Sequence, residues 1–186
     1  EVLFLDADQV PVKDPTYLFD DPAYRLRDSM FWPDLPPEGW MITEEAFRVA
    51  GLDVPGNTRG WRNPTDYVPF ETGQMLVNKA QCWAALELCQ WLCDRSDFWF
   101  PLVYGDKDLF FLAWQKLGVD CSMAPPCKWL GTRLPGHNRW AAGCFLQHDP
   151  AGQLVFQHRA QPYGVKWRLH GDNAECPGML HHDWCL

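Results

Sequence analysis

Apolar positions along this chain fall into short runs separated by turn-forming residues. Val2-Leu3-Phe4-Leu5 is unbroken, which predicts a buried strand over residues 2–5. The run ends in Asp6-Ala7-Asp8, resumes at Val10-Pro11-Val12 and turns at Lys13-Asp14-Pro15. From 17 to 70 the chain is rich in Pro, Gly and Asp and reads as a long irregular stretch. One short helix interrupts it, with Thr43 as N-cap and Gly51 as its stop. A strand is predicted over 73–78 and a helix over 79–93, where Cys82, Leu86, Cys89 and Cys93 share one face. A second helix is predicted over 106–117, stopped by Gly118, with Leu109, Leu112, Ala113 and Leu117 turned inward. Strands over 144–148 and 154–158, joined by Asp149-Pro150-Ala151-Gly152, predict a hairpin.

This order of elements predicts an α/β fold, a mixed sheet flanked by helices, and the 186 residues are treated as a single, partial catalytic domain. Composition sharpens this. With 16 Lys+Arg against 24 Asp+Glu the net charge is −8, and no basic run is present, so nucleic acid is not an expected partner. No apolar run reaches the roughly 20 residues of a membrane span. Because the chain opens on Glu1 and a strand already under way, a longer protein with an upstream segment is expected. The 11 Trp are expected mostly in packing, with some free to lie against sugar rings. Of the eight Cys, Cys82, Cys89 and Cys93 are expected to be unpaired in the core. Cys121/Cys127 and Cys176/Cys185 are the better disulfide candidates, and zinc held by Cys176, His181, His182 and Cys185 is a weaker reading.

The sharpest chemistry is Asp6-Ala7-Asp8. Two carboxylates at the end of an apolar strand repel each other unless a cation lies between them or one is protonated, and their oxygens suit Mg²⁺ or Mn²⁺. Glu71-Thr72-Gly73-Gln74 sets another carboxylate beside a glycine, and Gly105-Asp106-Lys107-Asp108 opens a helix with two more. N-terminal capping alone accounts for such a pair on a helix. His158 ends a strand, and Lys166 follows the Gly164 turn. An imidazole can complete an oxygen-rich metal site, and a lysine can neutralise a diphosphate.

Taken in order, these blocks resemble the metal-dependent nucleotide-sugar glycosyltransferases of GT-A fold. More closely, Leu5-Asp6-Ala7-Asp8-Gln9-Val10-Pro11, Asp14-Pro15 with Leu18-Phe19, Phe31-Trp32-Pro33-Asp34, Glu71-Thr72-Gly73-Gln74, Gly105-Asp106-Lys107-Asp108 and Gln147-His148-Asp149-Pro150 look like the α-mannosyltransferases of glycosyltransferase family 71. The segment from His158 through Gly164 to Lys166-Trp167 is also similar to the family 8 retaining transferases.

The resemblance implies a GT-A-like sheet whose N-terminal nucleotide-binding part lies upstream of Glu1. It implies Mn²⁺ or Mg²⁺ held by Asp6, Asp8 and His158, with Asp6 also near the donor ribose, and Lys166 and Gly164 at the diphosphate. Asp106 and Glu71 become the candidates to act on the reaction face or to orient hydroxyls, and Trp32, Trp61 and Asp34 the candidates at the acceptor. The implied reaction is retaining mannosyl transfer from GDP-mannose to a glycan or glycoprotein. The implied setting is the Golgi lumen, in a type II membrane protein anchored through the upstream region. A UDP-sugar donor on the same fold and a non-catalytic, disulfide-containing carbohydrate-binding domain are the alternatives.

Overall fold

A computed structural model describes residues 1–34, 42–55, 68–133 and 140–158, with 129–133 and 140–143 as backbone alone. Strands β1 (Val2–Leu5), β3 (Ser29–Pro33), β4 (Phe70–Val77) and β5 (Ser122–Met123) form one sheet in the order β1-β4-β3-β5. Its pairings are antiparallel except for parallel β3–β5, so the sheet is mixed. A second, antiparallel sheet runs in the order β2 (Gln9–Pro11), β8 (Leu154–His158), β7 (Trp140–His148), β6 (Lys128–Arg133). The helices are α1 (Pro22–Arg27), α2 (Glu44–Val49), α3 (Trp83–Cys93), α4 (Ser96–Trp99) and α5 (Asp106–Leu117). The expected α/β class, with a mixed sheet flanked by helices, is the observed one.

Two apolar clusters hold these layers together. On one side of the first sheet, Phe31, Phe70 and Val77 pack with Cys82, Ala85 and Cys89 near and along α3 and with Leu109, Leu112 and Trp114 of α5. Phe31 stacks on Phe70 at 4.0 Å between centroids and meets the edge of Trp114 at 5.2 Å, contacts worth about 0.5–1.5 kcal/mol each beyond area burial. The second cluster joins Met30, Trp32 and Leu76 to Val155 and Phe156 of the second sheet, with Leu18 and Tyr24 alongside. Leu117, expected in the inward stripe of α5, is instead exposed, because it stands at the last turn where the helix leaves the core.

The stretch expected to be irregular is more ordered than its composition implies. It carries a 3-10 turn at Thr16–Asp20, helix α1 capped by the Asp21 side chain, and strand β3. All five residues of β3 are buried, so no polar alternation marks it as a strand. Helix α2 is as expected, with the Thr43 hydroxyl accepting the Ala46 N–H. Helix α3 starts at Trp83 rather than at 79, because residues before it form a turn in which the Asn78 carbonyl accepts from Gln81 and Cys82 N–H. The expected hairpin is present as β7 and β8. Cys82, Cys89 and Cys93 are free thiols, as expected. Cys121 and Cys127 are free too, which corrects the proposed pairing; both are largely buried, and burial holds each thiol neutral, its pKa raised to about 12. Cys176, Cys185, His181 and His182 lie outside the described residues.

Candidate active site

The link from β1 to β2 crosses from one sheet to the other, and Asp6-Ala7-Asp8 is that link. Its conformation is pinned at both ends: the Asp6 N–H donates to the Gly73 carbonyl at 2.7 Å, and the Gln9 N–H donates back to the Asp6 carbonyl at 3.0 Å. Beyond the turn, Gln9 is paired across β2–β8 with His158. The register therefore delivers the two aspartates from one side and the imidazole from the other. His158 Nε2 lies 3.4 Å from Asp8 Oδ2, and His158 Nδ1 lies 3.8 Å from Glu71 Oε2, so one ring stands between two carboxylates.

Glu71 enters from β4, where Gly73 N–H donates to its Oε1 at 2.7 Å. Gly73 is a close-approach position. A Cβ there would lie 2.7 Å from Gln9 Nε2 and 3.0 Å from Glu71 Oε1, so a side chain would displace one or both. Burial is the main cause of a raised Glu71 pKa, and the nearby Asp34 charge adds to it; the Gly73 N–H, His158 and Lys107 act in the opposite direction. Asp6 is raised as well, first by burial and then by the like charges of Asp8 and Asp106, with His158 opposing. Asp106 stands in the first turn of α5, and its charge is felt at Asp6.

Gly105, just before α5, has φ 129°, a conformation open mainly to glycine, and it turns the chain so that two acidic residues start the helix. Lys107 and Asp108 then face inward. Lys107 Nζ bridges Asp34 Oδ2 at 2.8 Å and Asp108 Oδ1 at 3.1 Å, and Asp108 Oδ2 accepts the Tyr104 N–H at 2.7 Å. Burial works against the Lys107 charge, but the two carboxylates outweigh it and keep the ammonium protonated. Asp34 with Lys107, and Glu71, His158 and Asp8 beside them, thus form a polar seam between β3, β4, β8, the β1–β2 turn and α5, with Asp6 and Asp106 carrying further charge toward it.

Most sequence-based candidates converge on this seam, including Asp34, which stands beside Lys107 and Glu71. Trp32 does not. It is fully buried, donates its Nε1–H to the His148 carbonyl at 2.8 Å and meets the Phe156 ring edge-on at 5.4 Å, so neither face is free for a sugar. Its assignment to the acceptor is corrected to a packing role that joins the two sheets. Trp61, Gly164 and Lys166 lie outside the described residues. Lys107 was missed as part of the site, although its place between two aspartates in Gly105-Asp106-Lys107-Asp108 was the available signal. Asp149 is structural: its carboxylate accepts from the Tyr17 hydroxyl at 2.6 Å, Lys13 Nζ at 3.1 Å and the Gln153 N–H at 2.8 Å, tying residues 13–17 to the hairpin.

Two carboxylates and an imidazole, whose Nε2 is the ring nitrogen on the Asp8 side, match in chemistry what a divalent cation takes. Among the described residues, no group of three His, Cys, Asp or Glu side chains is already gathered around one metal position. Half-exposed Asp8 is the side chain with room to turn toward one.

The architecture gives the class first: a mixed-sheet α/β domain with an acidic turn linking its two sheets, consistent with a GT-A-like fold. Comparison with known proteins then narrows the class. A family model described as "Mannosyltransferase putative" matches residues 1–45, which include the acidic turn. Three proteins of Candida albicans are similar to this chain. Alpha-1,2-mannosyltransferase MNN24 is 28% identical over 146 residues, covering 63% of this chain and 21% of that protein. Alpha-1,2-mannosyltransferase MNN2 is 23% identical over 212 residues, covering 87% of this chain and 34% of that protein. Alpha-1,2-mannosyltransferase MNN22 is 32% identical over 84 residues, covering 43% of this chain and 14% of that protein. These matches bear out the resemblance to fungal α-mannosyltransferases. The chain spans between about a seventh and a third of the length of the curated relatives it matches.

Proposed function

We propose that the protein containing this chain is a retaining, metal-dependent α-mannosyltransferase that moves mannose from GDP-mannose to a glycan or glycoprotein acceptor. The observation that carries the reading is the approach of His158 to Asp8 of the acidic turn, set by the β2–β8 register, in a chain similar to named mannosyltransferases. Asp6, Asp8 and His158 would hold Mn²⁺ or Mg²⁺, which when bound supplies Lewis acidity where a nucleoside diphosphate departs. The chain's own residues divide the remaining work. Glu71 and Asp106 would each accept a hydrogen bond from a sugar hydroxyl and orient donor or acceptor. Lys107 keeps Asp34 and Asp108 compensated, so that the seam's charge is concentrated at Asp6, Asp8 and Glu71. Lys166 and Gly164 are assigned to the leaving diphosphate on the strength of the sequence resemblance. The expected setting is the Golgi lumen, with a membrane anchor elsewhere in the complete protein; among the described residues no helix is long and apolar enough to cross a membrane.

The test is transfer and donor hydrolysis by the complete protein. Wild type should turn over GDP-mannose in preference to UDP-sugars, and Asp8→Ala should lose at least about 100-fold in kcat/KM, the scale of losing one charge-stabilising group. Preference for a UDP-sugar would move the donor to the second reading. Glycan binding without turnover would support the non-catalytic one.

A further inference from the structure

Gln9 stands immediately after the acidic turn and is buried, yet among the described residues neither its Nε2 nor its Oε1 has a hydrogen-bond partner. Buried amides in folded proteins are overwhelmingly hydrogen-bonded, because an unpaired one loses its water without replacement, and an apolar side chain of the same shape avoids that loss. The position of this amide is specific. Its Nε2 and Glu71 Oε1 converge on the one Cα in β4 that carries no side chain, that of Gly73. Glu71 Oε1 already accepts the Gly73 N–H, and Oε2 faces the equally unpaired Nδ1 of His158. A free donor, a carboxylate with unused acceptor capacity and an imidazole are therefore collected in one small space behind the acidic turn. The backbone places the donor there by pairing Gln9 with His158.

We propose that Gln9 is a positioning residue: when a sugar nucleotide fills the site, its amide closes on the Glu71 carboxylate and fixes that group against His158 and the reacting sugar. The inference rests on the transferase reading and assigns to Gln9 no contact with substrate. Gly73 is the companion requirement, since a side chain there would displace the amide, the Glu71 carboxylate or both.

The experiment uses the complete protein with GDP-mannose and Mn²⁺, comparing wild type, Gln9→Met, Gly73→Ala and the double variant in steady-state turnover and thermal melting. Gln9→Met keeps the volume and removes the hydrogen bonds, so kcat should fall about ten-fold or more while the donor KM moves less than about three-fold. Its melting temperature should be unchanged or higher, since no resting-state hydrogen bond is lost. Gly73→Ala should lower kcat similarly, and the double variant should be no worse than the poorer single, as expected for two changes that break one contact. Turnover by Gln9→Met within about two-fold of wild type overturns the proposal. So does a lower melting temperature or failure to fold, which marks the amide as structural. Wild-type protein that turns over neither GDP- nor UDP-sugars removes the transferase reading and the positioning role together. An active wild type beside an equally active Gln9→Met removes the positioning role alone.

Discussion

Lys107→Met is the perturbation that most sharply probes how the seam is held together. The ammonium lies 2.8 Å from Asp34 and 3.1 Å from Asp108, and all three side chains are largely shielded from solvent. At an effective dielectric constant of about 20, each contact corresponds to roughly 5–6 kcal/mol of Coulomb attraction before desolvation is subtracted. The net loss is smaller, because a carboxylate stripped of its partner takes up a proton; breaking a buried pair typically costs about 3–5 kcal/mol. For a chain of this size that corresponds to a fall of roughly 6–20 °C in melting temperature. Differential scanning calorimetry at neutral pH reads it directly. The added substitution Asp34→Asn removes one stranded carboxylate and should restore part of the loss, which a double-mutant cycle separates from lost packing. A Lys107→Met protein melting within about 2 °C of wild type would refute the reasoning, since it would mean that the ammonium is not compensating buried charge.

The other predictions concern the carboxylates. Glu71 has a raised pKa in the folded protein, so its ionisation is a burden at neutral pH that disappears as pH falls through the folded value toward the ordinary one near 4.3. Glu71→Gln, whose amide oxygen can still accept from Gly73, should therefore melt at or above wild type at pH 7, with the gap closing on acidification, while turnover falls; a clear drop in melting temperature at pH 7 would contradict this. Asp149 has the opposite sign. Burial resists its ionisation, but Tyr17, the Gln153 N–H and Lys13 hold its pKa below the usual carboxylate range. Its contribution is fully present above about pH 4 and is lost as pH falls through the depressed folded value. Asp149→Asn should cost about 1.5–3 kcal/mol at neutral pH in denaturant unfolding and progressively less below pH 4; a pH-independent difference would rule out the charge as its source.

Several elements could be read directly from residue order because each carries a local signal. Thr43 capping α2, Gly118 ending α5 and the four-residue turn at 149–152 are local hydrogen-bonding or backbone requirements, and the structure keeps all of them. Strand β3 could not be read this way. Ser29-Met30-Phe31-Trp32-Pro33 is buried on both faces, so the alternation that reveals a strand is absent, and its pairing with β4 depends on residues about 37–48 positions away. The error over Trp32 follows from the same omission: in an irregular loop its ring would be free, whereas in a central strand it becomes the contact between two sheets. Within the site, the acidic turn and His158 were visible as residue types, but their meeting is a matter of β2–β8 register. The unpaired amide of Gln9 was invisible for a further reason. Only the packed structure shows that nothing among the described residues satisfies it.

The central claim is that Asp6, Asp8 and His158 form a cation site that serves transfer from a sugar nucleotide. The most direct measurement is GDP-mannose turnover by the complete protein, stripped of metal and titrated with Mn²⁺, alongside His158→Ala. Turnover that is absent after chelation, returns with Mn²⁺, and needs a much higher Mn²⁺ concentration in His158→Ala is the predicted result. Turnover that persists in excess chelator, or an unchanged Mn²⁺ requirement in His158→Ala, would contradict it.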